Sequence, residues 1–191
     1  MNQSTGNSLR HQFLISMPQL ADPNFSSTLT YLCEHNEQGA MGLVINRPTS
    51  LCLGDVLTHI DITIAPGSSH FHDTVFAGGP VDLEHGFILH SRDNRRWNAT
   101  MPVTDTLSLA TSRDILQAIA EGEGPDMALV ALGYAGWGAG QLEQEISQNT
   151  WLTCPADTDI LFNTPIDQRL IKAAAKLGVN LDLLSHEAGH A

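Results

Sequence analysis

The longest unbroken apolar run in this chain, Met127 to Leu132, is six residues long, and that length is the tightest constraint on its fold. A membrane helix needs roughly 18 consecutive apolar residues, so none is expected. A short run bounded by turn formers predicts instead a strand buried on both faces. Met41 to Ile45 (MGLVI), closed by Asn46, Arg47 and Pro48, predicts a second, central strand.

Around these two runs the periodicity alternates between strand and helix. Phe13 to Ile15 reads as a first short strand. Asp22 as cap, Pro23 at the first helical position, and Phe25, Leu29 and Leu32 at i, i+4 and i+7 predict a helix ending near His35. A short helix is expected around Leu53 to Ile60, followed by the longest connection, Asp61 to Asp73. Thr74 to Ala77 and Gly86 to His90 flank Gly78-Gly79-Pro80 and are expected to pair locally in antiparallel fashion, with Leu107 to Ala110 as a third strand. Thr111 to Asp114 matches a capping box and opens a helix with Ile115, Leu116 and Ile119 inward, stopped at Gly122. After Leu132 the glycines at 133, 136, 138 and 140 read as a turn into a helix carrying Leu142 and Ile146. Asp159 to Phe162 reads as a last strand. Thr164, Pro165 and Asp167 then start a helix with Ile166, Leu170, Ala174 and Leu177 inward and Gly178 as its cap.

Hairpin-like strands mixed with crossovers imply an α+β fold, a mixed sheet surrounded by about four or five helices. No repeat or linker divides the chain. The expected layout is a flexible tail over residues 1–10, a single domain over 11–185 and a C-terminal tail over 186–191. At 191 residues, a domain buries roughly 70% of its unfolded surface and needs no covalent staple. Cys33, Cys52 and Cys154 are widely spaced and odd in number, so they read as free thiols of a reducing compartment. With Pro18 interrupting the only N-terminal apolar cluster, the expected location is cytoplasmic.

Nine Lys plus Arg against 21 Asp plus Glu give a net charge of −12, which repels phosphate backbones and weighs against direct nucleic-acid binding. The one basic cluster, Arg92, Arg95 and Arg96, is diluted by Asp93 and reads as a solvated turn. His186-Glu187-Ala188-Gly189-His190 satisfies the HExxH zinc pattern, but only Ala191 follows, so the third ligand is missing and a polar tail is the simpler reading. His70 and His72 would point the same way on a strand, with Asp73, Glu84, His85 and His90 close in sequence, but the segment lies in or beside the longest loop and an accidental cluster is the simpler reading. No metal or cofactor is expected. The segment from Gly133 to Gly140 gives GxGxG rather than GxGxxG, with Glu143 and Glu145 beside it, and reads as structural rather than phosphate-binding. There is no GxSxG elbow, and no base adjoins Cys154 in sequence.

Four segments in order, FLISMPQLADPNF, YLCEHNEQGAMGLVINRP, VFAGGPV and LGYAGWGAGQLEQEI followed by NTWLTCPA, resemble the bacterial YqgE/AlgH family along nearly the whole chain. The resemblance implies a complex α+β fold with a split or bifurcated sheet, a small barrel-like part and surrounding helices. The family is uncharacterised, its AlgH members carry a provisional label as transcriptional regulators, and no catalytic residues carry over. An acidic chain without a basic recognition helix would influence transcription only indirectly, through a protein or small-molecule partner.

Turns at the ends of strands are where folds place sites, and they nominate Glu34, His35, Asn46, Arg47, Tyr134, Trp137, Gln141 and Glu145 as ligand-binding candidates. In that reading Arg47 pairs an acidic group, Trp137 stacks and Gln141 hydrogen-bonds. The favoured function is a non-catalytic binding or regulatory protein. The alternative is a hydrolase-like enzyme using His35 with Glu34, or a histidine-held metal.

Overall fold

The structure, a computed structural model, describes residues 8–65, 67–181 and 183–184. Its strands are β1 (Gln12–Ser16), β2 (Leu29–Asn36), β3 (Gly39–Val44), β4 (Pro48–Cys52), β5 (Thr74–Ala77), β6 (Val81–Ser91), β7 (Thr100–Pro102), β8 (Leu107–Ala110), β9 (Ala128–Gly138) and β10 (Trp151–Pro155). The helices are α1 (Leu53–His59), α2 (Arg113–Glu121), α3 (Gln141–Ser147), α4 (Thr158–Phe162) and α5 (Ile166–Ala175), with one 3-10 turn at Ser69–His72.

The strands form one sheet in the order β10-β1-β2-β3-β9-β6-β8-β7. It forks at β9. One edge of β9 pairs with β6 along its first half, while the other edge is shared by β5, in parallel, and then β3, antiparallel. The β4–β5 pair is the short branch. At the fork Gly79 has φ +154, and a Cβ there would sit 2.1 Å from the Tyr134 carbonyl carbon, so only glycine lets the two backbones approach this closely. Val44 N–H donates to Gly78 O at 2.8 Å and Gly78 N–H to Leu132 O at 2.8 Å, which ties β3 to β9 through that turn. The bifurcated α+β sheet is therefore present.

Strand alternation sorts the core by face. Phe13, Tyr31, Leu43, Phe76, Leu89, Leu109 and Ala131 point to one face and merge into a single cluster, although β1 and β8 are far apart in the sheet. Only a curled sheet brings them together, and this inner face is that of a half-barrel, partly filled by α4 and α5. The intervening residues point outward. Ile88, Ala110, Val75 and Val130 pack under α1 and α2; Leu14, Leu32, Ala135 and Trp137 pack under α3.

Several expectations are corrected. The helix expected over residues 22–35 is a set of turns followed by β2. An i, i+4 spacing is also an even spacing, so Phe25 and Leu29 fit either period. Leu29, Tyr31 and Cys33 face inward while Leu32 faces out, all at 0% exposure, as a doubly covered strand requires. β5 and β6 do not pair with each other but flank β9 on its two edges. The glycine-rich segment is strand as far as Gly138, and only Ala139 and Gly140 turn into α3. Asp159 to Phe162 is helical: the Asp157 carboxylate caps it by accepting from Asp159 N–H at 2.9 Å. The short edge strands β4, β7 and β10 had no recognised signal.

Residues 8–10, assigned to the tail, are held. Ser8 Oγ donates to His35 O, and Leu9 N–H donates to His35 Nδ1 at 3.0 Å. The HEAGH segment lies outside the described residues.

Candidate functional site

The inner face of the half-barrel is not completely filled. Where α4 and α5 leave it open, a groove of about 830 Å³ runs along β9, β3, β6 and β8. Met41, Phe87, Met101, Leu109 and Tyr134 form its apolar part, with the Phe87 and Tyr134 rings edge-to-face at 5.3 Å. Glu34 and Asp82 are the charged residues in its lining, and no lysine or arginine contributes to it.

Register decides which candidates reach this groove. Glu34 pairs with Met41 and Met41 with Gly136, so Glu34 and Tyr134 lie on the inner face. His35 pairs with Ala40 and Ala40 with Trp137, and these three point to the opposite face, beneath α3. Glu34 and His35, adjacent in the chain, are thus separated by the sheet. The same alternation splits Tyr134 from Trp137.

Beneath α3 the second group is fully engaged with itself. Glu145 Oε2 accepts from Trp137 Nε1 at 2.9 Å and from Trp151 Nε1 at 2.8 Å, while its Oε1 accepts from Gln141 Nε2 at 2.9 Å. Gln141 Oε1 accepts from Gly138 N–H at 3.0 Å, fastening the start of α3 to the end of β9. Phe25 packs against both indoles. His35 Nε2 faces Glu143 Oε1 at 2.8 Å, and since Nδ1 accepts from Leu9, Nε2 is the protonated nitrogen. Glu143's own backbone N–H, and then the His35 ring, hold its carboxyl below the usual range.

Asn46 and Arg47 form a third group, bonded to the 23–29 segment rather than to either of the others. Asn46 accepts from Leu29 N–H at 2.8 Å and donates to Ser27 O. Arg47 donates to the carbonyls of Pro23, Asn24 and Ser26 at 2.7–2.8 Å, so its guanidinium braces the 22–28 turns rather than facing open space. The eight candidates therefore occupy three places. Only Glu34 and Tyr134 line the groove with their side chains on the inner face. Met41, Asp82, Phe87, Met101 and Leu109 were not nominated; the available signal was alternation within each strand, which gives a face but not an open one.

Among the described residues, no three His, Cys, Asp or Glu side chains are arranged to hold a metal ion. His70 pairs with Asp73 and His85 with Asp82, each at 2.8 Å. All three cysteines are free; Cys33 and Cys154 are buried, and burial pushes both thiols up. No described helix is long and apolar enough to cross a membrane.

A family model described as AlgH-like matches residues 13–182. A UPF0301 protein of Thioalkalivibrio sulfidiphilus is 59% identical over 181 residues, covering 95% of this chain and 96% of that one. The UPF0301 protein AlgH of Pseudomonas aeruginosa is 53% identical over 191 residues, all of both chains. The solution structure of AlgH from that organism superposes with a TM-score of 0.80 over 100% of each chain at 53% identity. A crystal structure of a Corynebacterium diphtheriae protein, 18% identical, gives a TM-score of 0.70 over 92% of this chain and 90% of that one, which shows a shared fold.

Proposed function

This chain belongs to the AlgH-like family, and from that premise and the geometry of its groove we propose that it is a non-catalytic binding protein whose half-barrel receives a basic, apolar segment of a partner protein. The open groove of about 830 Å³ carries the proposal. Its floor supplies two methionines and two aromatic rings, side chains that adapt to varied apolar partners. Its rim supplies Glu34 and Asp82, the latter paired with His85, with no lysine or arginine in the lining and in a chain of net charge −12, so a lysine or arginine beside an apolar anchor is the complementary chemistry. Influence on transcription would then pass through a protein partner. A cytoplasmic setting fits free thiols and such a partner.

The enzymatic alternative draws no support from this arrangement, because Glu34 and His35 lie on opposite faces and both His35 nitrogens are occupied. Selection of peptides from a random library by the full chain tests the proposal. Enriched sequences should place Lys or Arg next to Leu, Phe or Met, and the Glu34→Gln/Asp82→Asn variant should bind them several-fold more weakly with a shallower salt dependence. Enrichment of acidic peptides, or equal binding by that variant, would overturn it.

A further inference from the structure

The β6–β8–β7 ladder has a second pocket on its other face. His90 pairs with Ser108 across β6 and β8, and Ser108 with Pro102 across β8 and β7, so these three share a row. Their neighbours Leu89, Leu109 and Met101 belong to the inner-face cluster, which puts the row on the outer face. There the segment after β6 folds back over a half-open pocket of about 430 Å³ lined by His90, Ser108, Trp97, Arg92, Arg95 and Arg96, with Asp93 beside them.

Two residues of this lining each carry a buried polar atom without a partner. His90 is 2% exposed, and its Nδ1 donates to Ser91 O at 2.8 Å, which leaves Nε2 as a bare acceptor. The Trp97 Nε1–H is buried without an acceptor. Leaving such groups unmet costs roughly 1–3 kcal/mol each, which an occupant offering one acceptor and one donor would relieve. The surrounding charge says which kind. Three of the nine cations of a strongly acidic chain are gathered here. Arg95 is spent on Asp93 and on the Glu123 and Gly124 carbonyls. Arg92 uses one nitrogen on Thr104 O at 3.0 Å, and Arg96 makes no hydrogen bond or ion pair among the described residues.

We propose that this outer-face pocket binds the phosphoryl group of a small phosphorylated molecule. Phosphate oxygens accept from the Arg92 and Arg96 guanidinium groups and from the Trp97 indole N–H, and a phosphate or sugar hydroxyl donates to His90 Nε2. The pocket volume suits a ligand of sugar-phosphate or mononucleotide size.

The test is an NMR titration of the full-length protein with inorganic phosphate, and separately with sulfate, at constant ionic strength. Phosphate should saturably shift the Trp97 indole N–H and the amides of His90 and Ser108. Sulfate, which has no proton to give Nε2 at neutral pH, should bind several-fold more weakly. Arg96→Gln, at an exposed position, should weaken phosphate binding about five- to tenfold, the loss of one charge-assisted contact. No saturable shift at Trp97, equal binding of sulfate, or a shift unchanged in both Arg96→Gln and Arg92→Gln would overturn the assignment.

Discussion

Glu145 has one carboxylate for three donors, and its removal gives the most decisive test of the cluster under α3. In Glu145→Ala the indole N–H groups of Trp137 and Trp151, both on residues no more than 6% exposed, lose their common acceptor. A hydrogen bond to a charged group contributes about 1.5–3 kcal/mol, and an orphaned buried donor costs a similar amount. Because the cluster is only part-buried and water can reach the Gln141 side, the low end applies to each indole, about 3 kcal/mol in total. Glu145→Gln keeps one carbonyl oxygen within reach of both indoles and should lose only about 1 kcal/mol, the charge-assisted fraction. Urea unfolding followed by tryptophan fluorescence measures both, and the native emission of the alanine variant should also change because both indoles lose a partner. If alanine costs less than about 1 kcal/mol, or glutamine costs as much as alanine, the two-indole acceptor role is wrong.

Two further predictions follow from named contacts. Arg47→Ala should destabilise by about 1–3 kcal/mol in urea unfolding and speed amide exchange over residues 25–29, since it frees three carbonyls that water can partly satisfy; Arg47→Lys should recover only a fraction, because one ammonium cannot reach all three. For pH, burial holds the folded-state values of His90 and His11 below 6.5, so the unfolded chain takes up those protons first as pH falls. Stability should therefore decline as pH drops through 6.5, and in phosphate-free buffer His90→Asn should show a smaller decline between about pH 8 and about pH 5.5 than the unaltered protein; an equal or larger decline would contradict the burial argument.

The parts of the fold that were legible are those where one signal had one meaning. Met41–Val44 and Met127–Leu132 are apolar on both faces and bounded by turn residues, and they contribute to β3 and β9, neighbouring strands at the centre of the sheet. Gly122 stops α2 in the left-handed conformation, as expected, whereas the expected Thr111–Asp114 capping box is not formed: α2 starts after Ser112 with no side-chain cap hydrogen bond. Errors arose where a signal was shared. An even spacing of four served helix and strand alike at Phe25 and Leu29, and an acidic residue three or four positions before apolar ones did not separate α4 from a strand. The edges were silent: β7 has three residues and β10 is recognisable only by its partner β1, 135 to 143 positions away in register.

Site legibility failed for a different reason, which lies in the period of two. Motifs rich in polar and aromatic residues sit at strand ends, and a strand sends successive side chains to opposite faces. Glu34-His35 and Tyr134-to-Trp137 each look like one unit in the sequence, yet each contributes one side chain to the groove and one to the α3 cluster. Density of functional-looking residues therefore measured how many jobs a segment does, not how many residues serve one site. The outer-face pocket shows the converse. Arg92, Arg95 and Arg96 are exposed, as a solvated turn requires, and their nearness to His90 and Ser108 is invisible in the sequence because that alignment exists only once β6 and β8 pair. If the phosphate titration supports the proposed pocket, a basic turn above a strand that carries a buried histidine on its outward register becomes a combination to seek in other chains as soon as strand pairing is known.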